Sequence, residues 1–319
     1  MTPRDAVSRH VTLYRSVCRH TVPGARKAEQ HDTMPSPLIS PTELADVIRS
    51  GTPPRILDVR WRLDQPEGRP AYLDGHLPGA VYVDLDHELA RRGDPREGRH
   101  PLPSREQLQA AARRWGIHEG DTVVAYDDVH SVAAARAWWV LTRSGIADVR
   151  VLDGGLRGWL AERLPLDTGD VLPRPPGDVA LDEITEGVAD IDGVEEWPDH
   201  GLLLDVRAPD RYRGDSEPHD PVGGHIPGAV NLPTTVHLTA GRFRSPDEIR
   251  AEFAAAGVAE GVSVAAYCGS GIAATHTALA GALAGIDVVV YPGSWSQWSR
   301  SRGRLAAVGS APSLDVVPV

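Results

Sequence analysis

Short, almost unbroken apolar runs alternate with longer amphipathic stretches along this chain. Residues 55–59, 122–126, 202–206 and 262–267 are short and rich in branched apolar side chains, which predicts buried strands. Residues 42–49, 104–115, 246–256 and 272–284 carry apolar positions at helical spacing, which predicts helices. Strands alternating with helices imply an α/β fold, each sheet parallel and flanked by helices on both faces. In such a sheet a ligand site lies at the carboxyl ends of the strands.

The pattern is written twice. Asp58-Val59-Arg60 answers Asp205-Val206-Arg207, and Gly75-His76-Leu77-Pro78-Gly79-Ala80 answers Gly224-His225-Ile226-Pro227-Gly228-Ala229. The run ending at Tyr126-Asp127 answers the run ending at Tyr267-Cys268, and Gly154-Gly155 with Trp159 answers Gly293-Ser294 with Trp298. An offset of about 140–150 residues is too long for a solenoid and marks a tandem domain duplication. The expected organisation is an extension over 1–35, a first domain over 36–165 and a linker over 166–185. A second domain over 186–308 and a tail over 309–319 complete it. The extension is Arg-rich without an apolar core, so it reads either as a disordered segment or as sequence upstream of a true start at Met34.

Composition narrows the chemistry. The chain has 319 residues, a net charge of -11 and 24% charged residues, which argues against nucleic acid as a partner. No apolar run reaches the length of a membrane span. The two cysteines, Cys18 and Cys268, form neither a disulfide framework nor a metal motif, so no metal or cofactor is implied and the reducing cytoplasm is the expected compartment. The single lysine, Lys27, lies in the extension, so Schiff-base chemistry and a Walker loop are excluded from the folded part. Arginine must supply any positive charge in a site.

The candidate chemistry sits at Cys268-Gly269-Ser270-Gly271-Ile272-Ala273-Ala274, a lone cysteine between a predicted strand and a predicted helix. Small residues let loop N–H groups and the helix N-terminus converge on the sulfur, which favours thiolate and can hold an anion. The alternative is an inert buried cysteine. A cysteine phosphatase would need arginine at position 274, where Ala274 stands.

Together these motifs, with the closing Gly293-Ser294-Trp295 and Trp298, resemble the tandem-domain rhodanese-type sulfurtransferases, thiosulfate- and 3-mercaptopyruvate-using enzymes. The resemblance implies two rhodanese-like domains, the first without its cysteine (Asp127 here) and the second catalytic through a Cys268 persulfide. Sulfur would pass from a small anionic donor to cyanide or a thiol acceptor, which a thioredoxin-like protein can present. It implies a relay of Ser270 and His76 with an aspartate, for which Asp64 is the nearest choice and Asp74 a weaker one. It assigns donor binding to Arg211, to the loop residues Gly269, Gly271, Ile272, Ala273 and Ala274, and to Ser294 as a hydroxyl near the sulfur. Two positions depart from the family: His219 stands where mercaptopyruvate enzymes carry a second arginine, and Ala273 where threonine is frequent. Bland alternatives are a helix cap for Ser270, turn histidines for His76 and His225, and a solvated surface arginine for Arg211. Asp58, Arg60, Asp205 and Arg207 read as internal ion pairs, and His276 as a packed core histidine. The competing function is a persulfide carrier that docks partner proteins without turning over small donors.

Overall fold

The computed structural model describes residues 36–171, 175–313 and 315–319. The expectations placed on 1–35, Cys18, Lys27 and Met34 among them, lie outside the described residues. The first copy is built on five parallel strands: β1 (Leu38–Ile39), β2 (Arg55–Asp58), β3 (Val81–Tyr82), β4 (Val123–Tyr126) and β5 (Val149–Leu152). They lie in the order β1-β5-β4-β2-β3. Its helices are α1 (Pro41–Arg49), α2 (Arg69–Asp74), α3 (Leu85–Glu88), α4 (Arg105–Arg114), α5 (Val132–Arg143) and α6 (Gly155–Ala161).

The second copy repeats this plan. Strands β6 (Gly201–Asp205) and β7 (Val230–Asn231) are followed by a small antiparallel hairpin, β8 (Leu238–Thr239) and β9 (Arg242–Phe243). Then come β10 (Ser263–Tyr267) and β11 (Val288–Val290), giving a parallel sheet in the order β11-β10-β6-β7. The helices are α7 (Ile191–Glu196), α8 (Pro209–Arg213), α9 (Pro246–Ala255), α10 (Ile272–Ala284) and α11 (Ser294–Trp298). A last hairpin pairs β12 (Leu305–Val308) with β13 (Asp315–Pro318). Residues 315–318 of the expected tail therefore form a strand, held antiparallel to β12 by backbone hydrogen bonds. The stretch read as a linker is tied to the first copy, with His76 and Asp167 exchanging backbone bonds and Gly177 donating to the Arg113 carbonyl.

The strands read as continuous apolar runs because successive side chains bury on opposite faces. In the first sheet Leu57, Ala125 and Val151 meet α4 and α5, while Ile56, Val124 and Leu152 meet α1 and α6. In the second, Leu204, Val264 and Ala266 face α9 and α10, and Leu203, Ala265 and Tyr267 face α7 and α11. Fully buried side chains such as Leu57 and Leu204 each contribute roughly 1.5–3 kcal/mol.

One apolar core runs through both copies, because α5 packs against α10. This explains why α10 is apolar almost all round: its own sheet covers one side and α5 covers another. Each of these helices follows the equivalent strand, β4 or β10. The loop after β4 and the Cys268 loop after β10 thus end up at the junction of the two halves.

Candidate active site

Cys268 follows β10 directly and is 3% exposed. Its carbonyl accepts from the Trp295 N–H at 3.0 Å, and its own N–H donates to Ser294 Oγ at 3.1 Å. The Gly269 carbonyl accepts from the Ser296 N–H at 2.9 Å, so α11 clamps both residues. The Gly271 N–H donates to Cys268 Sγ at 3.1 Å. Gly271 begins α10 with φ +81, and a Cβ there would lie 2.3 Å from the Pro292 carbonyl oxygen. Only glycine satisfies both the left-handed backbone and the close approach.

The first copy shows what such a loop holds. Asp127 occupies the position of Cys268, fully buried, and its carboxylate accepts four backbone bonds. The donors are the N–H groups of Val129, Ser131, Ala133 and Ala134, at 2.8–2.9 Å. Burial raises the Asp127 carboxyl pKa while these four bonds pull it down. The loop between strand and helix is an anion cradle, filled from within in the first copy.

Arg211, on α8, stands over the Cys268 loop. Its Nε and Nη2 bind Glu217, at 2.7 Å for the shortest contact. Its Nη1 makes no hydrogen bond among the described residues and lies 3.2 Å from where a Gly269 Cβ would sit. Glu217 also accepts from Arg207 at 3.2 Å. Ser270 is 7% exposed, and its hydroxyl makes no hydrogen bond among the described residues; Gly271, not Ser270, is the residue that caps α10. Ile272 and Ala274 are buried, and Ala273 is partly so.

Several sequence-derived assignments find no support in the geometry. Ser294 does not serve as a hydroxyl for the sulfur: Oγ accepts from the Cys268 N–H and donates to the Tyr291 carbonyl at 2.8 Å. It fastens the loop instead, and holds φ +52 to do so. His76 is 1% exposed, stacks on Tyr72 with centroids 4.1 Å apart, and bonds the Tyr72 carbonyl through Nδ1 at 2.9 Å. His225 repeats this on Tyr212, at 3.7 Å and 2.8 Å. Both are turn histidines built into the fold, and none of the bonds or ring contacts of His76 reaches the Cys268 loop. Asp64 sits exposed at the tip of a two-residue turn, bonded to neither His76 nor Ser270. His219 is exposed, and among the described residues only its backbone N–H is engaged, with Glu217.

Two arginines of the first copy occupy the ground these residues leave. Arg99 Nη2 donates to the Gly269 carbonyl at 3.1 Å, while Nη1 binds Asp220, itself fully buried as a side chain. Arg300 also binds Asp220, at 2.6 Å, and Arg211 lies 3.7 Å from it. Burial works against the Asp220 charge, yet the bonds from Arg99 and Arg300 hold its carboxyl below the usual range. Arg136, on α5, is 0% exposed. It donates to three carbonyls, those of Leu89, His100 and, at 3.3 Å, Gly271. Burial pushes its guanidinium down to about 10, and Cys268 is the ionisable group that opposes this. Neither arginine stands out in the sequence, since both act across the boundary between the copies.

The internal pairs are as the repeat suggests. Arg60 binds Asp58 and the Gly75 carbonyl at 2.7 Å each, and Arg207 binds Asp205 and the Gly224 carbonyl at 2.6 Å each. A tether kept in both copies serves the fold. His276 is fully buried, stacked on Phe243 and bonded to Thr234 Oγ1 at 2.6 Å.

Comparison with known proteins agrees with this architecture. A model of the Rhodanese-like domain matches residues 40–162 and 190–301. The chain is 46% identical over 277 residues to a Mycobacterium tuberculosis protein named as a thiosulfate sulfurtransferase, SseB, covering 86% of this chain and 98% of that one. It is 36% identical to the human 3-mercaptopyruvate sulfurtransferase over 277 residues, covering 82% and 91%. Among solved structures, the 3-mercaptopyruvate enzyme SseA of Escherichia coli superposes with a TM-score of 0.73 at 30% identity, covering 82% of this chain and 99% of that chain. A duplicated parallel α/β unit, a cysteine in the strand-to-helix loop of the second copy, and these likenesses together place the chain in the family of tandem rhodanese-domain sulfurtransferases.

Proposed function

We propose that the chain moves a sulfane sulfur from thiosulfate or 3-mercaptopyruvate to cyanide or a thiol through a persulfide on Cys268. The Cys268 thiolate attacks the outer sulfur of the donor. A new S–S bond forms, the donor's bond to that sulfur breaks, and its electron pair leaves with sulfite or, after protonation, pyruvate. The acceptor then attacks the outer persulfide sulfur, and the electron pair of the S–S bond returns to Cys268. Dividing the transfer into two displacements is covalent catalysis and gives ping-pong kinetics. The carrying observation is the loop itself: an N–H donor aimed at Sγ at 3.1 Å, in a turn whose counterpart in the first copy binds a carboxylate with four N–H groups. Such a cradle stabilises an anionic persulfide with backbone alone, which suits a loop of Gly, Ser and Ala.

Relatives named for either donor leave both in play. No helix among the described residues is long and apolar enough to cross a membrane; the reading adopted is a cytoplasmic enzyme whose natural acceptor is a thiol, including one on a thioredoxin-like protein. The test is intact mass after incubation with donor alone. The peptide carrying Cys268 gains one sulfur and loses it to cyanide, while Cys268→Ser folds, gains nothing and transfers nothing. Absence of the adduct with both donors overturns the mechanism. A persulfide formed only from a partner protein would favour the carrier reading instead.

A further inference from the structure

Two guanidinia from different halves of the molecule converge on one spot beside the nucleophile. An atom at the Cβ position of Gly269 would lie 3.1 Å from Arg99 Nη2 and 3.2 Å from Arg211 Nη1. Both side chains keep some access to solvent, 23% for Arg99 and 18% for Arg211. Neither is saturated: Arg211 Nη1 is free of hydrogen bonds among the described residues, and Arg99 Nε is buried without a partner. The surrounding charges do not cancel. Arg99, Arg207, Arg211 and Arg300 face three carboxylates, those of Asp205, Glu217 and Asp220. One positive charge is therefore left over at the mouth of the cradle, inside a protein whose net charge is -11.

Arg99 is also held in place. The turn before it is capped by Asp94, Gly98 takes φ +90 against the Gly293 carbonyl, and the Arg99 N–H donates to Ser296 Oγ at 3.0 Å. Ser296 donates its own N–H to the Gly269 carbonyl, the acceptor that Arg99 Nη2 shares. A fixed planar fork that still has donors to give is suited to an oxyanion.

We propose that Arg99 of the first copy is a donor-binding residue of the Cys268 site. With Arg211 it forms a two-arginine clamp, closed across the two halves, on the oxyanion head of the sulfur donor. The proposal rests on the sulfur-transfer reading above. It gives the first copy, which lacks the nucleophile, a direct part in binding the donor, and it leaves exposed His219 outside the site.

The test separates donor binding from loop support, because the two half-reactions use different partners. Arg99→Gln is compared with wild type in three measurements: KM and kcat for thiosulfate, the inhibition constant of sulfate, and the rate at which a preformed Cys268 persulfide is discharged by a neutral thiol. Sulfate has oxyanion geometry but no sulfur to transfer. Loss of a charge-assisted fork raises KM and the sulfate constant by about tenfold or more, with kcat and discharge nearly unchanged. Arg99→Lys, which keeps the charge and loses the fork, falls between; it decides the matter if Arg99→Gln does not fold. Arg96→Gln, an exposed arginine paired with Asp94 in the same turn, controls for net charge and moves nothing. Unchanged sulfate inhibition, or a discharge rate that falls in step with KM, overturns the clamp and leaves sulfur transfer standing. No persulfide in the wild type with either donor overturns both.

Discussion

The difference between Arg211 and His219 shows how strongly a residue's role depends on what holds it. Arg211 is fixed through two nitrogens by Glu217 and offers the third to the Cys268 loop. Arg211→Ala is expected to raise KM for thiosulfate and for 3-mercaptopyruvate, with persulfide discharge by a thiol little changed. His219, two residues beyond the same glutamate, is exposed and has no bond through its ring. His219→Arg is therefore expected to leave the ratio of kcat/KM for the two donors unchanged at pH 8. A shift of that ratio towards 3-mercaptopyruvate would show that position 219 reaches the donor. His76 makes a similar point: it has the same tyrosine stack and the same carbonyl bond as His225. His76→Asn is expected to lower the melting temperature while a folded sample still takes up one sulfur on Cys268.

At the scale of elements, the strand–loop–helix unit was legible from residue spacing. The predicted strand over 262–267 and helix over 272–284 correspond to β10 and α10. The helices expected over 42–49, 104–115 and 246–256 correspond to α1, α4 and α9, and the structure shows Ser40, Ser104 and Ser245 capping them through their side chains. What holds the loop was not legible. Ser294 turns its hydroxyl to the Cys268 backbone, and α11 clamps Cys268 and Gly269 from some 25 residues away, through contacts that no local pattern encodes. Gly271 tests the element. A methyl group there meets the Pro292 carbonyl oxygen at 2.3 Å, in a backbone conformation that L side chains rarely adopt. Gly271→Ala must shift the loop, which moves the N–H now aimed at Sγ. Strain at such a position costs about 1–3 kcal/mol. The expected result is a lower denaturation midpoint together with loss of persulfide formation; retention of full transfer would mean that this N–H does not matter to the anion.

At the scale of the whole molecule, the two halves share a core, and this makes stability sensitive to acid. Arg99 and Arg136 were not legible in the sequence for the same reason: Arg99 binds Asp220 and the Gly269 carbonyl and Arg136 reaches the Gly271 carbonyl, all in the other copy, and a repeat pattern aligns the copies without saying where they touch. The same seam buries His276, and His237 is buried beside it within the second copy. His276 lies on α10, next to the loop carrying His130, and burial, helped by His237, pushes it down to about 3 against a hydrogen bond to the His130 backbone. His237 stacks on Phe253 with neither ring nitrogen bonded among the described residues, and burial with Arg244 nearby pushes it down to about 4. Both folded values lie below the unfolded value of about 6.5. The neutral rings are therefore favoured in the fold, and their stability is fully present above about pH 6.5. As pH falls from there towards 4, the unfolded chain takes up protons that the folded chain refuses. Each histidine then removes about 1.4 kcal/mol per pH unit. His237→Phe removes one of these groups and breaks no hydrogen bond, because the ring has none to lose. Its denaturant midpoint is expected to exceed that of wild type by much more at pH 5 than at pH 8. Equal gains at the two pH values would mean that the variant packs better but that His237 does not link folding to protons.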